Sequence, residues 1–364
     1  MAFAKRVRIL DSTLREGEQA PSVTLDFGQR FAIAQKLDQT GVDFIEVSSI
    51  VSADHRALIG ELCSAGLHAS VVAHCRAIES DIDAVSGDCP GAKWVAVFIS
   101  TSDVHLDNKL KISRIEALGK ISRTTAYAKD HGYSVRFTAE DAGRTDRKFL
   151  AEACMAASAA GADRISLPDT VGSMTPDAME GMVAFVRSAV STPLDLHCHN
   201  DLGLALANTI AGLASGADCA HVTINGVGER CGIASLAEVA MALQTLYGVE
   251  TGINTENLVP LSKMLAECSG VPFDQFTPVV GENAFRHKGG THLAALLANP
   301  ESYEAFAPER VGNSRRMVLG EHSGKNVVGF LNDKLGIGLD EGGIEKTVAR
   351  LKDKRRDLFE FSAQ

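Results

Sequence analysis

Short apolar runs alternating with stretches of helical period set the framework of this chain. Strand-type runs lie at Val7–Asp11, Phe44–Ser48, Ala69–His74, Trp94–Ser100, Ser134–Thr138, Arg164–Pro168, Leu194–His199 and His221–Asn225. They recur at intervals of roughly 25–35 residues, which is the rhythm of strands separated by helices. Between them lie amphipathic segments such as Phe27–Thr40, Ile115–His131, Lys148–Ala160 and Ala205–Ser215. Gly41, Gly132, Gly161 and Gly216 follow these four segments. Glycine there is the expected helix stop, because it enters the left-handed region without a Cβ penalty. Thr175-Pro176-Asp177 reads as a helix start with proline at the first position.

Eight such units over about 250 residues predict a parallel sheet. They allow closure into a (β/α)8 TIM barrel; a doubly wound open sheet is the alternative. The distribution of polar residues decides for the barrel. Chemistry-capable side chains sit at every strand end: Arg15/Glu16, Ser48/Ser49, His74/Arg76, Ser100/Thr101, Arg136/Thr138/Glu140, Asp169/Thr170, His197/His199 and Asn225/Glu229. An open sheet concentrates such groups at its switch point, whereas a barrel gathers all eight ends around one mouth. The barrel is therefore expected over residues 1–255. Beyond it the alternation stops, and 256–364 reads as a helical C-terminal subdomain: Glu256–Cys268, Gly281–Gly290, Thr291–Ala298 and a charged helical stretch Gly343–Asp357.

Composition narrows the partners. A net charge of −10 on 364 residues argues against nucleic acid or an anionic membrane surface, so an anionic substrate would need local cations working against the global sign. Eight cysteines without a CxxC pair read as small buried thiols in a reducing compartment. With no signal-type leader and no long apolar run, the chain is expected to be cytoplasmic.

The candidate chemistry starts at His197-Cys198-His199-Asn200-Asp201. Residues i and i+2 of a strand share a face, so two imidazoles emerge together at the strand end while Cys198 turns away. Such a pair needs one or two oxygen ligands to hold a divalent cation, with Mg, Mn and Zn all open. Glu16, in Leu14-Arg15-Glu16-Gly17-Glu18-Gln19, is the candidate carboxylate, and Arg15 beside it can face an oxyanion. His74, Arg76 and Arg136 end two other strands and together suggest an anionic substrate. Glu140 and His287 are further candidates, each equally readable as a surface residue.

Taken together, Asp11 with Leu14–Gln19, His197-x-His199-Asn200-Asp201 and Asn225-Gly226-Val227-Gly228-Glu229-Arg230 resemble the 2-isopropylmalate/homocitrate/citramalate synthases, metal-dependent barrels of the aldolase-like "DRE" group. The resemblance runs from residue 7 to about 335. It implies a Claisen-type condensation of acetyl-CoA with a 2-oxo acid, followed by thioester hydrolysis. It implies that Glu16, His197 and His199 hold the metal and that Arg15 polarises the keto oxygen. It places Gln19, His74, Arg136, Thr138 and Thr170 on the substrate, and pairs Glu140 with His287 for deprotonating the acetyl methyl. In the family that histidine comes from the neighbouring subunit. This implies a homodimer with shared active sites and a C-terminal subdomain acting as a lid over the partner's site, without the leucine-type regulatory domain.

Within the group, Ile233 and the set His74, Arg136 and Thr138 resemble homocitrate synthases, which grip the distal carboxylate of 2-oxoglutarate. Thr138-Ala139-Glu140-Asp141-Ala142-Gly143-Arg144 and Pro168-Asp169-Thr170 look isopropylmalate-like. The expected reaction is 2-oxoglutarate to homocitrate. The alternatives are another 2-oxo acid (2-oxoisovalerate, pyruvate, oxaloacetate or a phosphono- or phosphino-pyruvate), a retro-aldol cleavage like that of hydroxymethylglutaryl-CoA lyases, and a non-catalytic sensor.

Overall fold

The computed structural model describes residues 3–354 and 359–362. The chain divides into two compact units, one holding the chain up to Asn254 together with Leu261–Pro272, the other Thr255–Pro260 and the chain from Phe273 onward.

In the first unit eight strands close into a barrel in sequence order: β1 (Arg8–Asp11), β2 (Phe44–Ser48), β3 (Ser70–Arg76), β4 (Trp94–Ser100), β5 (Ser134–Glu140), β6 (Arg164–Asp169), β7 (Leu194–Cys198) and β8 (Cys219–Val222). All neighbours pair in parallel, and β1 closes on β8 with Arg8 opposite Cys219. The helices form where periodicity placed them, at Phe27–Thr40, Arg114–Asp130, Arg147–Ala159 and Ala205–Ala214. Asp26 and Gln29 close a reciprocal capping box on the first. Gly41 ends it at φ 94°, where a Cβ would lie 2.3 Å from the Gly252 carbonyl oxygen, so only glycine fits. The Thr175 hydroxyl caps the helix Pro176–Ala189.

A parallel sheet covered by helices is buried on both faces. One end of the barrel interior is apolar, filled by Leu10, Phe44, Val72, Ala96 and Cys219 with Trp94 against them. Further along, Glu46, His74, Arg136, Asp195 and His221 contact one another across the barrel, all buried. The functional ends of the strands stand on this charged layer.

Several boundaries differ from expectation; β6 runs one residue further, to Asp169, and β7 stops at Cys198, one short of His199. β3 and β5 each run two residues further, to Arg76 and Glu140. β8 begins earlier and stops at Val222, because Asn225 and Gly226 both take positive φ and turn the chain. Leu261–Pro272 belongs with the barrel rather than with the tail: the Asn225 side-chain amide donates to the Ser262 carbonyl at 3.1 Å, and Gln29 to that of Cys268 at 3.0 Å.

The second unit is helical, as expected, with helices at Gly290–Ala298, Lys325–Leu335 and Glu341–Lys354. Residues 355–357 of the expected last helix lie outside the described residues. The unit also carries a three-stranded sheet that periodicity did not reveal, β9 (Arg286–His287), β10 (Arg316–Leu319) and β11 (Phe359–Ser362), in the order β11-β10-β9. Two to four residues are too few to establish alternation. Its core is Leu293, Leu296, Met317, Val327, Val328, Leu331 and Leu351.

Candidate active site

Ten of the residues singled out in the sequence line one cavity of about 360 Å³ in the first unit: Arg15, Glu16, Gln19, His74, Arg136, Thr138, Glu140, Thr170, His197 and His199. Phe98, Lys109, Ser166, Pro168, His221, Glu229 and Arg230 complete its wall.

Glu16 sits in the turn after β1. Its amide donates to the Ser12 carbonyl at 2.7 Å, and its Oε1 accepts the Glu229 amide at 2.9 Å. The loop Gly226–Gly232 thus fixes the carboxylate from the opposite side of the chain, and a Cβ at Gly228 would come within 3.0 Å of that same oxygen. His197 Nε2 lies 3.8 Å from Glu16 Oε2, and His199 Nε2 lies 3.9 Å from Oε1. The three ligand atoms fall within 4.8 Å of one another. Burial, reinforced by the His199 and Arg15 charges, holds His197 well below the usual histidine range, and burial likewise lowers His199. Both imidazoles are neutral, with lone pairs free for a cation. Two neutral imidazoles and a carboxylate are the donor set a divalent metal takes, leaving positions open for a ligand.

Glu46 was not picked out from sequence, yet it organises the site. Its Oε2 accepts the Ser12 hydroxyl at 2.6 Å and Arg15 Nε at 3.0 Å. Its Oε1 accepts His74 Nδ1 at 3.1 Å and the Arg136 guanidinium. Burial alone would push this carboxyl up, but Arg136 and Arg15 beside it hold it well below the ordinary range. Arg15 also pairs with Glu16, and its Nη1 reaches Gln19 Oε1 at 3.4 Å. His74 is brought down to about 4 by burial and by the Arg15 charge, and its ring stacks on Phe98 at 4.5 Å. A neutral His74 donates Nδ1–H to Glu46, which leaves Nε2 for a ligand. Behind Arg136, His221 lies 3.4 Å away and bonds Asp195 at 3.2 Å; Arg164 pairs with the other Asp195 oxygen.

The Thr138 and Ser166 hydroxyl oxygens are buried without a protein partner among the described residues, as is Arg136 Nε. Two of these groups line the cavity as unused hydroxyls, ready for a polar ligand. The Thr170 hydroxyl accepts the Asp141 amide at 2.9 Å, and Arg230 donates to its carbonyl at 2.8 Å. Glu140 is held by the Ser100 hydroxyl and by Lys109 Nζ at 2.6 and 2.8 Å.

Arg76 does not join the mouth. It pairs with Asp81 at 2.8 Å, and its side chain is 56% exposed. The N-terminal turn of the helix Glu79–Asp88 supplies a nearer anion than the barrel does. The second cation of the site is instead Arg15. His287 belongs to the second unit, where its Nε2 lies 3.2 Å from Glu304, which Arg315 also grips at 2.7 and 2.5 Å.

The HMGL-like family profile matches residues 6–265. The chain belongs to the HMGL-like family. A second profile, "Homocitrate synthase post-HMGL domain-like", matches residues 279–357. A probable 2-isopropylmalate synthase of Methanopyrus kandleri is 45% identical over 96% of this chain and 70% of its own length. Homocitrate synthase AksA of the same organism is 43% identical over 97% and 88%. The 2-isopropylmalate synthase of Sulfolobus acidocaldarius is 43% identical over 96% and 91%. The chain is thus an enzyme of the 2-oxo acid/acetyl-CoA synthase family, as its motifs implied. The fold is shared with the HMG-CoA lyase of Bacillus subtilis, at a TM-score of 0.67 and 21% identity over 75% of this chain and 97% of that one. Among the described residues no helix is long and apolar enough to cross a membrane.

Proposed function

We propose that this protein condenses acetyl-CoA with 2-oxoglutarate to form homocitrate and CoA. The observation that carries this reading is the charged end of the cavity. Arg136 and His74 stand there beside the unpartnered Thr138 hydroxyl, a set suited to a second carboxylate. Glu16, His197 and His199 would hold a divalent metal, which supplies Lewis-acid polarisation of the keto group. Arg15 faces the oxygen on which negative charge develops as the new carbon–carbon bond forms. Thr170 holds the carboxylate next to the keto carbon, and Gln19 completes that end.

The methyl of a thioester is a very weak acid, so a base, a cation and a dry site must act together. Glu140 is the base. His287, supplied by a neighbouring copy of the chain, works with it, so the second unit serves as a lid on the partner's site and the homodimer is the working form. Water then cleaves the thioester and releases CoA.

A panel of 2-oxo acids with acetyl-CoA, read as free thiol release before and after chelation, tests the reading. Turnover should be highest with 2-oxoglutarate and vanish with chelator. A preference for 2-oxoisovalerate or pyruvate would overturn the substrate. That second reading draws on Phe98 and Pro168, which give the same cavity an apolar wall suited to a short branched acid.

A further inference from the structure

The segment after β4 carries a group the mechanism has not used. A short helical turn, Asp103–His105, is capped by the Ser102 hydroxyl and runs into a five-residue π-helical turn, Leu106–Leu110, which ends at Lys111 with φ 55°. π-turns are rare and recur at functional sites, because the extra residue re-aims the side chains of the turn. Lys109 lies in this turn and lines the cavity. Its ammonium contacts both oxygens of Glu140, and its side chain is 47% exposed. The other groups around Glu140 are the Ser100 hydroxyl on Oε2, His105 bonded to that hydroxyl at 3.1 Å, the Arg15 charge, and the Asp141–Arg144 pair one layer out.

We infer that Lys109 is a positioning residue for the proton transfer: it holds the Glu140 carboxylate in place in the cavity until the acetyl methyl arrives. The inference rests on the proposed role of Glu140. In the step itself the methyl C–H bond breaks and its proton goes to a Glu140 oxygen. The C–H electron pair forms the enolate double bond, and the carbonyl π pair moves onto oxygen. Glu140 becomes neutral and its pair with Lys109 dissolves. Contacts to both oxygens fix the orientation of the carboxylate, and the half-exposed Lys109 side chain leaves the ammonium free to part from it. A half-exposed ion pair contributes little to folding, so a purely structural role would leave the chemistry untouched.

The experiment compares K109M, K109R, E140Q and the double variant K109M/E140Q in the full chain, loaded with metal. K109M should lose about 100-fold in kcat, with KM for the 2-oxo acid nearly unchanged. K109R should restore most of the rate. Adding K109M to E140Q should change nothing further, because the group it acts through is already gone. K109M at full rate beside a slow E140Q would overturn this inference alone, as would an equal loss from K109M in both backgrounds. An E140Q enzyme with undiminished turnover would overturn the assignment of Glu140, and this inference with it.

Discussion

Single side chains in this site do two jobs, and the fate of His74 shows it. The ring stacks on Phe98, donates to Glu46 and faces the cavity. His74→Leu removes one polar partner of the proposed distal carboxylate. Losing a hydrogen bond to a charged group costs about 1–3 kcal/mol, so 2-oxoglutarate turnover should fall about 10–100-fold. Turnover of a short apolar 2-oxo acid should change far less, and equal losses would count against the assignment. Asp11 supplies a stability test. Burial pushes its carboxyl up to about 7, against a small opposing pull from Thr13. The folded state therefore binds a proton that the unfolded state has released, and stability falls as pH rises from about 4 to about 7, by about 4 kcal/mol at most. Asp11→Asn should flatten that slope in thermal melts; an unchanged slope refutes it. The contrast between His197 and Glu46 marks what the sequence makes legible at this scale. A histidine pair at a strand end announces itself. A lone acid inside Phe44-Ile45-Glu46-Val47-Ser48 looks like one polar residue in a strand until closure of the barrel sets Arg15 and Arg136 on either side of it. Asp195 and His221 were hidden in the same way, because Asp195 meets His221 and Arg164 only once β7 pairs with the strands on either side of it.

Elements locate these groups, and the loop Gly226–Gly232 is the one to probe. Gly228→Ala would set a methyl 3.0 Å from Glu16 Oε1 and displace the oxygen that the Glu229 amide holds. Divalent-metal affinity, measured by titration calorimetry, should fall about 10-fold or more, as outer-shell changes do; unchanged affinity would remove Glu16 from the metal site. The barrel elements were readable because each long helix and strand carries its own period and its own stop. The helix Phe27–Thr40 has both ends written locally, in Asp26/Gln29 and Gly41. The strands β9–β11 could not be read that way: Arg286–His287 is a strand only because Arg316–Met317 lies beside it. β8 differs for the opposite reason: the expected strand runs on to Asn225, although Asn225 followed by Gly226 favours a turn.

At the scale of the whole molecule, the proposed sharing of sites between two copies is open to a complementation test. E140Q and H287A proteins, each nearly inactive alone, should regain about a quarter of wild-type activity when unfolded and refolded together, since half the dimers are mixed and each restores one of its two sites. No recovery would confine both residues to the same chain's site or remove one of them from it. A last consequence follows from the bridging carboxylate of Glu46. Each of its two oxygens serves a different end of the cavity: Oε2 takes Arg15, and Oε1 takes His74 and Arg136. Whatever docks against Arg136 competes for a guanidinium that also steadies the far arginine. Retargeting this scaffold to a new substrate is therefore a problem of concerted edits: a replacement tailored to the tail of the incoming acid unbalances the head unless its counterweight is changed alongside it.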